Sequence, residues 1–219
     1  MSRRFTASDR LVDQLDSMLR TLVPGARHAS HPCPGADAPV TPPDPEQRRR
    51  SVEVLRYCHR ARIMGQGIYQ GQRLAGGPAR HYQPIDALAM RGIDHLAWCE
   101  TRLAALDSRA PRLAPLYYGW AFGIGAAFGH WGRAAGLGVL HASEQQQAGL
   151  MERQLRELTG ADPMSGAIVR RMLEDDIRHS RSALEAGGKP WPEALRWTLS
   201  LKSRLCEKLR LGSGSSVHY

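Results

Sequence analysis

Residues 163–187 read PMSGAIVRRMLEDDIRHSRSALEAG, and this stretch decides the fold class. It shows no alternation of polar and apolar residues, and the glycine pair Gly187-Gly188 ends it, so we expect one long helix and no strand. Asp176 and His179 stand three positions apart, which places both side chains on one face of that helix. A helix face that pairs a carboxylate with an imidazole is typical of bundles that hold a metal between their helices.

The same periodicity continues through most of the chain, and no other stretch alternates as a strand would. Glycine or proline marks most joints between the periodic segments. The predicted helices cover residues 47–74, 83–108, 114–131, 133–159, 163–187 and 191–210. The sequence therefore predicts an all-α protein.

The division of the chain follows from its prolines and glycines. Regularly spaced leucines predict an N-terminal helix within residues 1–25, and six prolines then indicate an extended linker over residues 26–46. Residues 47–211 form the expected helical bundle. The Gly- and Ser-rich residues 212–219 are expected to be a flexible tail.

Composition limits the function classes. The chain has 219 residues, 42% of them hydrophobic, which excludes wholesale disorder and fibrous repeats. Its formal net charge of +9 suits an anionic surface, either a membrane or a nucleic acid, but the chain has no recognition-helix motif, so we expect no nucleic-acid partner. Four widely spaced cysteines and the absence of a signal-peptide pattern predict a reduced, cytoplasmic protein.

Residues 113–132 contain no Asp, Glu, Lys or Arg, and their length alone would allow a membrane span. A proline, five glycines and a histidine argue against a span, so we expect a buried or membrane-dipping helix and keep a true span as the alternative. The pairs Gly119/Gly123 and Gly125/Gly129 place small residues four positions apart, which predicts the close approach of another helix.

The remaining candidate ligands stand on the other long helices. Ferritin-like di-iron proteins use a Glu from each of two helices and a Glu-x-x-His from each of the other two. Asp176 and His179 form a shorter version of that motif, and Glu144 lies on a small-residue helix where a buried carboxylate needs a partner. His95 is preceded by Gly92 where the motif has a Glu.

Six blocks in chain order resemble one family. They read IYQGQ at 68–72, IDHLAWCE at 93–100, YGWAFGIGA at 118–126, ASE at 142–144 and SALEAGG at 182–188, after the helix at 11–24. Together they resemble the bacterial demethoxyubiquinone hydroxylases, the carboxylate-bridged di-iron monooxygenases of ubiquinone biosynthesis, over about residues 8–210.

The resemblance implies a ferritin-like four-helix bundle with additional helices. It also implies an iron-dependent monooxygenase that hydroxylates the ring of a demethoxyubiquinol at the membrane surface, with two iron ions in the family. The metal ligands that it carries over to this chain are His95, Glu144, Asp176 and His179. At the two remaining ligand positions, where the family has Glu, this chain has Arg62 and Gly92.

These two departures predict a degenerate metal site. Arg62 is permanently protonated and accepts no ligand bond, so we expect it to pair with Glu144 or Asp176 in place of a metal. Gly92 removes a ligand outright. One iron or none is then expected.

A single-metal site remains open at the sequence level. His95, His179 and one carboxylate would supply two imidazoles and a carboxylate, the ligand set of non-haem iron oxygenases, and His141 could add a nitrogen. His59 is expected to orient its neighbours through hydrogen bonds instead of binding metal.

Two functions therefore stay open: an active hydroxylase, or a non-catalytic paralogue that binds a quinone or lipid or scaffolds a biosynthetic complex. The expected partners are an isoprenoid quinol or lipid, the membrane surface, and a second copy or a ubiquinone-biosynthesis complex. The segments 113–132 and 191–210 combine apolar and basic residues and are expected to contact the membrane, which places the protein peripherally on the inner face of the cell membrane.

Overall fold

The structure, a computed structural model, describes residues 7–25, 27–37, 43–75, 83–158 and 162–191. Within these ranges the chain forms six helices and no strand. The helices are α1 (Ala7–Leu22), α2 (Pro45–Ala75), α3 (Gln83–Ala105), α4 (Ala114–His130), α5 (Arg133–Glu157) and α6 (Pro163–Glu185). The predicted all-α bundle with additional helices is confirmed.

Helices α2 to α6 begin and end within about three residues of the predicted limits, and α1 begins four residues earlier than the predicted 11–24. Helix α3 ends three residues early, where Asp107 has a positive φ of 50° and Ser108 N donates to Leu103 O at 2.8 Å. This backbone turn closes the helix before residue 108. The helix predicted over 191–210 and the tail predicted over 212–219 lie outside the described residues, apart from Trp191.

Helix α2 is the centre of the molecule and contacts each of the other five helices. Every residue from Tyr57 to Gln72 is buried, although many of them are polar or charged. A fully surrounded helix is normally apolar, because a buried polar group needs a partner. The polar side chains of α2 therefore indicate a functional site in the interior of the bundle.

Glycines allow α2 and α4 to pack backbone against backbone. A Cβ at Gly125 would overlap the carbonyl oxygen of Ile68 and lie 2.8 Å from its Cα, and one at Gly129 would lie 2.8 Å from Gln72 Cα. The predicted close approach is present at this glycine pair. It is absent at Gly119 and Gly123, where an added Cβ would meet no described atom within 4 Å.

The segment after α1 lies against α3. Arg27 donates from Nε to Arg20 O at 2.7 Å and contacts the carboxylate of Glu100. Further along, His31 Nδ1 lies 2.7 Å from Asp94 Oδ2. These contacts hold residues 27–31 on the bundle, while the domain limits expected from the prolines stay a prediction.

None of the described helices combines the length and the hydropathy that a membrane crossing requires.

Helix α4 has two distinct sides. Ala121, Gly125 and Gly129 are buried on the side that packs against α2. On the outer side Leu116 is 67% exposed and Trp120 is 39% exposed. Large apolar side chains are thus left in solvent on one face of this helix.

Candidate metal centre

Three of the predicted ligands meet between α5 and α6. Glu144, Asp176 and His179 each offer a ligand atom, and these atoms lie within 4.8 Å of one another. Both carboxyl groups are fully buried, and the His179 side chain is 15% exposed. Asp176 and His179 share a helix face because they are three residues apart, and α5 brings Glu144 to them.

Arg62 of α2 occupies the same centre. Its side chain is 1% exposed, and Nη2 donates to Asp176 Oδ1 at 2.6 Å. Burial by itself lowers the pKa of Arg62, but the charges of Asp176 and Glu144 outweigh it, so the pKa of the guanidinium is raised. Arg62 is a permanent cation and pairs with one of the two predicted carboxylates.

Tyr69 holds the other carboxylate. It lies two helical turns after Arg62 on α2, and its hydroxyl donates to Glu144 Oε1. Burial and the neighbouring charge of Glu144 raise the pKa of Tyr69 well above its usual value, so the phenol stays protonated. Each carboxylate therefore has one oxygen fixed by a donor from α2.

The second polar atom of each group is left without a partner. Glu144 Oε2, Asp176 Oδ2 and His179 Nδ1 are buried and make no hydrogen bond within the described structure. His179 Nδ1 lies 3.8 Å from Glu144 Oε2, which is beyond hydrogen-bond range. These three atoms lie in one cluster and are available as ligand atoms for a bound cation.

The two buried carboxyls titrate as a pair. Burial raises the pKa of Asp176 well above its usual range, and the charge of Glu144 adds to this, against the opposing effect of Arg62. Burial also raises the pKa of Glu144, but His179, Arg62 and Tyr69 outweigh it and hold it at about 2. Burial and the mutual repulsion of the two carboxyls thus oppose the ionisation of both, while the charge of Arg62 favours it.

His95, the fourth predicted ligand, is directed to a different acid. Its Nε2 lies 3.0 Å from Asp175 Oδ2, and both side chains are completely buried. Burial and the charge of Arg62 lower the pKa of His95 to about 3, so the imidazole is neutral and donates this bond. It does not belong to the group of Glu144, Asp176 and His179, called here the three-donor cluster. Its role as a metal ligand stays a prediction.

Asp175 stands beside Asp176 in sequence and has a different environment. Burial raises its pKa, but the hydrogen bond from His95 and the charges of Arg171 and Arg91 outweigh burial and hold it at about 2. This carboxylate is therefore a fixed anion that orients His95.

Gly92 is surrounded by side chains of α2. A Cβ at this position would overlap Gln66 Nε2 and would lie 3.3 Å from Arg62 Cδ. Gln66 Nε2 donates to Ala89 O of α3 at 2.6 Å. The space beside Gly92 is thus already filled by Arg62 and Gln66.

The two other histidines considered lie apart from the three-donor cluster. His59 Nε2 is 3.0 Å from Glu100 Oε1 and 3.3 Å from Arg27 Nη1, which fits the orienting role expected for it. His141 Nδ1 is 2.8 Å from Ser180 Oγ. Neither belongs to the metal-ligating cluster found within the described ranges.

Two residues of the centre were missed from the sequence: Gln66 and Tyr69. A signal for both was present, because they follow Arg62 by four and seven positions and so share its helix face. The partner of Asp175 could not be predicted, since only packing decides which of two adjacent acids meets which partner.

The comparisons with known proteins decide the family. The sequence profile described as Ubiquinone biosynthesis protein COQ7 matches residues 49–207. The chain belongs to the COQ7 family. A 3-demethoxyubiquinol 3-hydroxylase of Chromohalobacter salexigens is 36% identical over 208 residues, which cover 95% of this chain and 98% of that protein. Proteins with the same name from Azotobacter vinelandii and Stutzerimonas stutzeri are 36% and 35% identical over 206 residues, which cover 94% of this chain and 96% of each relative.

The iron pair of COQ7 hydroxylases does not fit the residues of this chain. On the side of α2 and α3, Arg62 accepts no bond and Gly92 has no side chain, so two of the family's ligand positions supply no ligand atom. Two divalent cations would also lie beside a buried guanidinium, with only two carboxylates of the cluster to neutralise three cationic groups that together carry five positive charges.

Proposed function

We propose that this chain hydroxylates the ring of a demethoxyubiquinol in ubiquinone biosynthesis, with iron held in the three-donor cluster. The supporting comparison extends over 94–95% of the chain, so it includes every helix around the centre. The observation that carries the proposal is the cluster itself: Glu144, Asp176 and His179, with three unsatisfied buried atoms, inside a COQ7-family bundle.

The residues of the chain have distinct tasks in this proposal. Iron, when bound, supplies the activation of dioxygen. Tyr69 fixes Glu144 through Oε1, and Arg62 fixes Asp176 through Oδ1, so each carboxylate presents its other oxygen to the centre. Fixed ligands of this kind need little rearrangement on binding, which favours affinity and a defined geometry.

A second function is favoured by one specific contact. The 2.6 Å ion pair between Arg62 and Asp176 gives the centre a permanent positive charge. A centre with its own cation can fold without a metal, which suits a non-catalytic paralogue that binds a quinone or lipid or scaffolds a complex.

The proposed location is the inner face of the cell membrane, with the protein cytoplasmic and peripheral. An isoprenoid quinol resides in the membrane, so its ring reaches an enzyme that lies on the surface. The exposed apolar side chains Leu113, Leu116 and Trp120 at the start and outer side of α4 supply a surface for that contact. Association with a second copy or a biosynthetic complex stays a prediction.

Complementation tests the function. A bacterial strain that lacks its own demethoxyubiquinol hydroxylase would express the wild-type chain, Glu144→Gln, or Glu152→Gln, an exposed control on the same helix. Quinones would be extracted and quantified by mass spectrometry. We expect ubiquinone with the wild type and Glu152→Gln, and accumulated demethoxyubiquinone with Glu144→Gln.

The contrary result is equally clear. A wild-type chain that is expressed, folded and supplied with iron, yet leaves only demethoxyubiquinone in the cells, would contradict the hydroxylase proposal. If that quinone then copurifies with the chain, the non-catalytic binding function is supported in its place.

A further inference from the structure

The substitutions at positions 62 and 92 are structurally linked, because the two residues share one space with Gln66. The side chains of Arg62 and Gln66 fill the volume that a side chain at position 92 would need, and Gln66 is held there by its 2.6 Å bond to Ala89 O. A Cβ at 92 would overlap the Gln66 amide where it now lies and would be 3.3 Å from Arg62 Cδ, so a Glu there would displace Gln66 and crowd Arg62. Gly92 leaves both side chains in their observed positions.

The substitutions at positions 62 and 92 change only the half of the centre that α2 and α3 supply. Helices α2 and α3 now contribute a cation, a glycine and a histidine that is bound to Asp175. Helices α5 and α6 keep two carboxylates and an imidazole, each with one unsatisfied buried atom. The donors that remain are enough for one ion and lie together on one side of the bundle.

Arg62 also limits how many cations the donors of α5 and α6 can bind. It neutralises one of the two carboxylate charges through Asp176 Oδ1 and leaves Oδ2 free. One divalent cation with both carboxylates ionised and Arg62 charged leaves a single net positive charge in the cluster, whereas two such cations would leave three. The first arrangement leaves much less uncompensated charge in this largely buried cluster and is therefore favoured.

We propose that the centre binds one divalent metal ion through Glu144, Asp176 and His179, and that the Arg62 guanidinium permanently takes the place of a second ion. The inference rests on the proposed function for the identity of the metal as iron. It does not need the chain to be an active hydroxylase, because it concerns how many ions bind and where.

Metal counting on the purified full-length chain tests this. Chelator-treated protein would be dialysed to equilibrium against cobalt(II), a divalent probe that is stable in air, and the bound metal measured by mass spectrometry, with circular dichroism as the check on folding. The wild type is expected to bind about one ion per chain. Glu144→Gln and His179→Ala should each weaken binding by about tenfold or more, and the exposed control Glu152→Gln should not.

A restored variant tests the role of Arg62. The double variant Arg62→Glu with Gly92→Glu replaces the cation by a ligand and supplies the missing carboxylate, so its stoichiometry should rise towards about two ions per chain. If that variant does not fold, the wild-type count and the two single variants still decide the matter.

The inference is overturned if the folded wild type binds two ions or none, or if Glu144→Gln leaves affinity unchanged. Its failure can be told from that of the proposed function. One bound ion without ubiquinone production contradicts only the hydroxylase proposal, and ubiquinone production with two bound ions contradicts only this inference.

Discussion

Arg62 Nη2 donates to Asp176 Oδ1 at 2.6 Å, and the two side chains are 1% and 0% exposed. The pair joins the central helix α2 to α6 at the place where the COQ7 pattern expects metal. Removing both charges from water is costly, and the attraction between them offsets that cost. The geometry of this one ion pair determines both the stability of the centre and the room that it leaves for a cation.

Arg62→Met is expected to destabilise the metal-free chain by about 3–5 kcal/mol, because it leaves two buried carboxyls without a cation. Urea unfolding at neutral pH, followed by circular dichroism, measures the change. Arg49→Met is the control, since Arg49 pairs with Glu46 and Glu53 on the exposed side of the same helix and should change little. Equal effects of the two substitutions would show that Arg62 is not in a buried ion pair.

The effect of Gly92→Ala on the free energy of unfolding should depend on residue 66. In the wild type, the new Cβ displaces the Gln66 amide from Ala89 O, so the loss of that hydrogen bond offsets the gain in helix propensity. In a Gln66→Ala background the overlap with Gln66 is gone and only the 3.3 Å contact with Arg62 Cδ remains, so Gly92→Ala should stabilise the fold by up to about 1 kcal/mol. A double-mutant cycle by thermal unfolding gives the coupling, and a coupling of zero would contradict the shared use of this space.

Gly125→Ala is expected to cost at least about 2 kcal/mol, because the added Cβ meets the Ile68 backbone, which cannot move away as a side chain can. Gly123→Ala is the matched control on the same helix. Its Cβ meets no described atom within 4 Å, so it should raise stability by up to about 1 kcal/mol through helix propensity. The denaturant midpoint of each variant measures the change. If both midpoints moved in the same direction, the described packing of α4 on α2 would be contradicted.

The helices could be predicted well because the sequence signals for them are local. Periodicity and the glycines and prolines at the joints depend on neighbouring residues only, so the limits of α2 and α4 were predicted almost to the residue. The end of α3 was placed too late because the positive φ of Asp107 closes the helix without a glycine or proline to announce it. The contacts of residues 27–31 with α3 join distant parts of the chain, and proline content does not encode them.

The centre could be predicted in part. The i, i+3 spacing places Asp176 and His179 on one face, and the pairing of Arg62 with a carboxylate follows from charge alone. The partner of His95 could not be predicted, because Asp175 and Asp176 are adjacent and point in directions about 100° apart on a helix. Only the packing of α3 on α6 decides that His95 meets Asp175.

The outer face of α4 is expected to bind anionic membranes. Replacing both Leu116 and Trp120 by Ser should reduce binding to phosphatidylglycerol-containing vesicles by about tenfold or more, since both side chains are exposed and available for insertion. Ile177→Ser, an exposed apolar residue on α6, is the control. Flotation at low salt measures the bound fraction, and a wild type that does not float with these vesicles would contradict the proposed membrane contact.

The most direct test of the central claim is the position of the metal itself. Crystals of the wild-type chain loaded with cobalt would be measured at the cobalt absorption edge. The account predicts one anomalous peak between Glu144, Asp176 and His179, with Arg62 still in contact with Asp176. Two peaks, or a peak at the position that the Arg62 guanidinium now occupies, would contradict it.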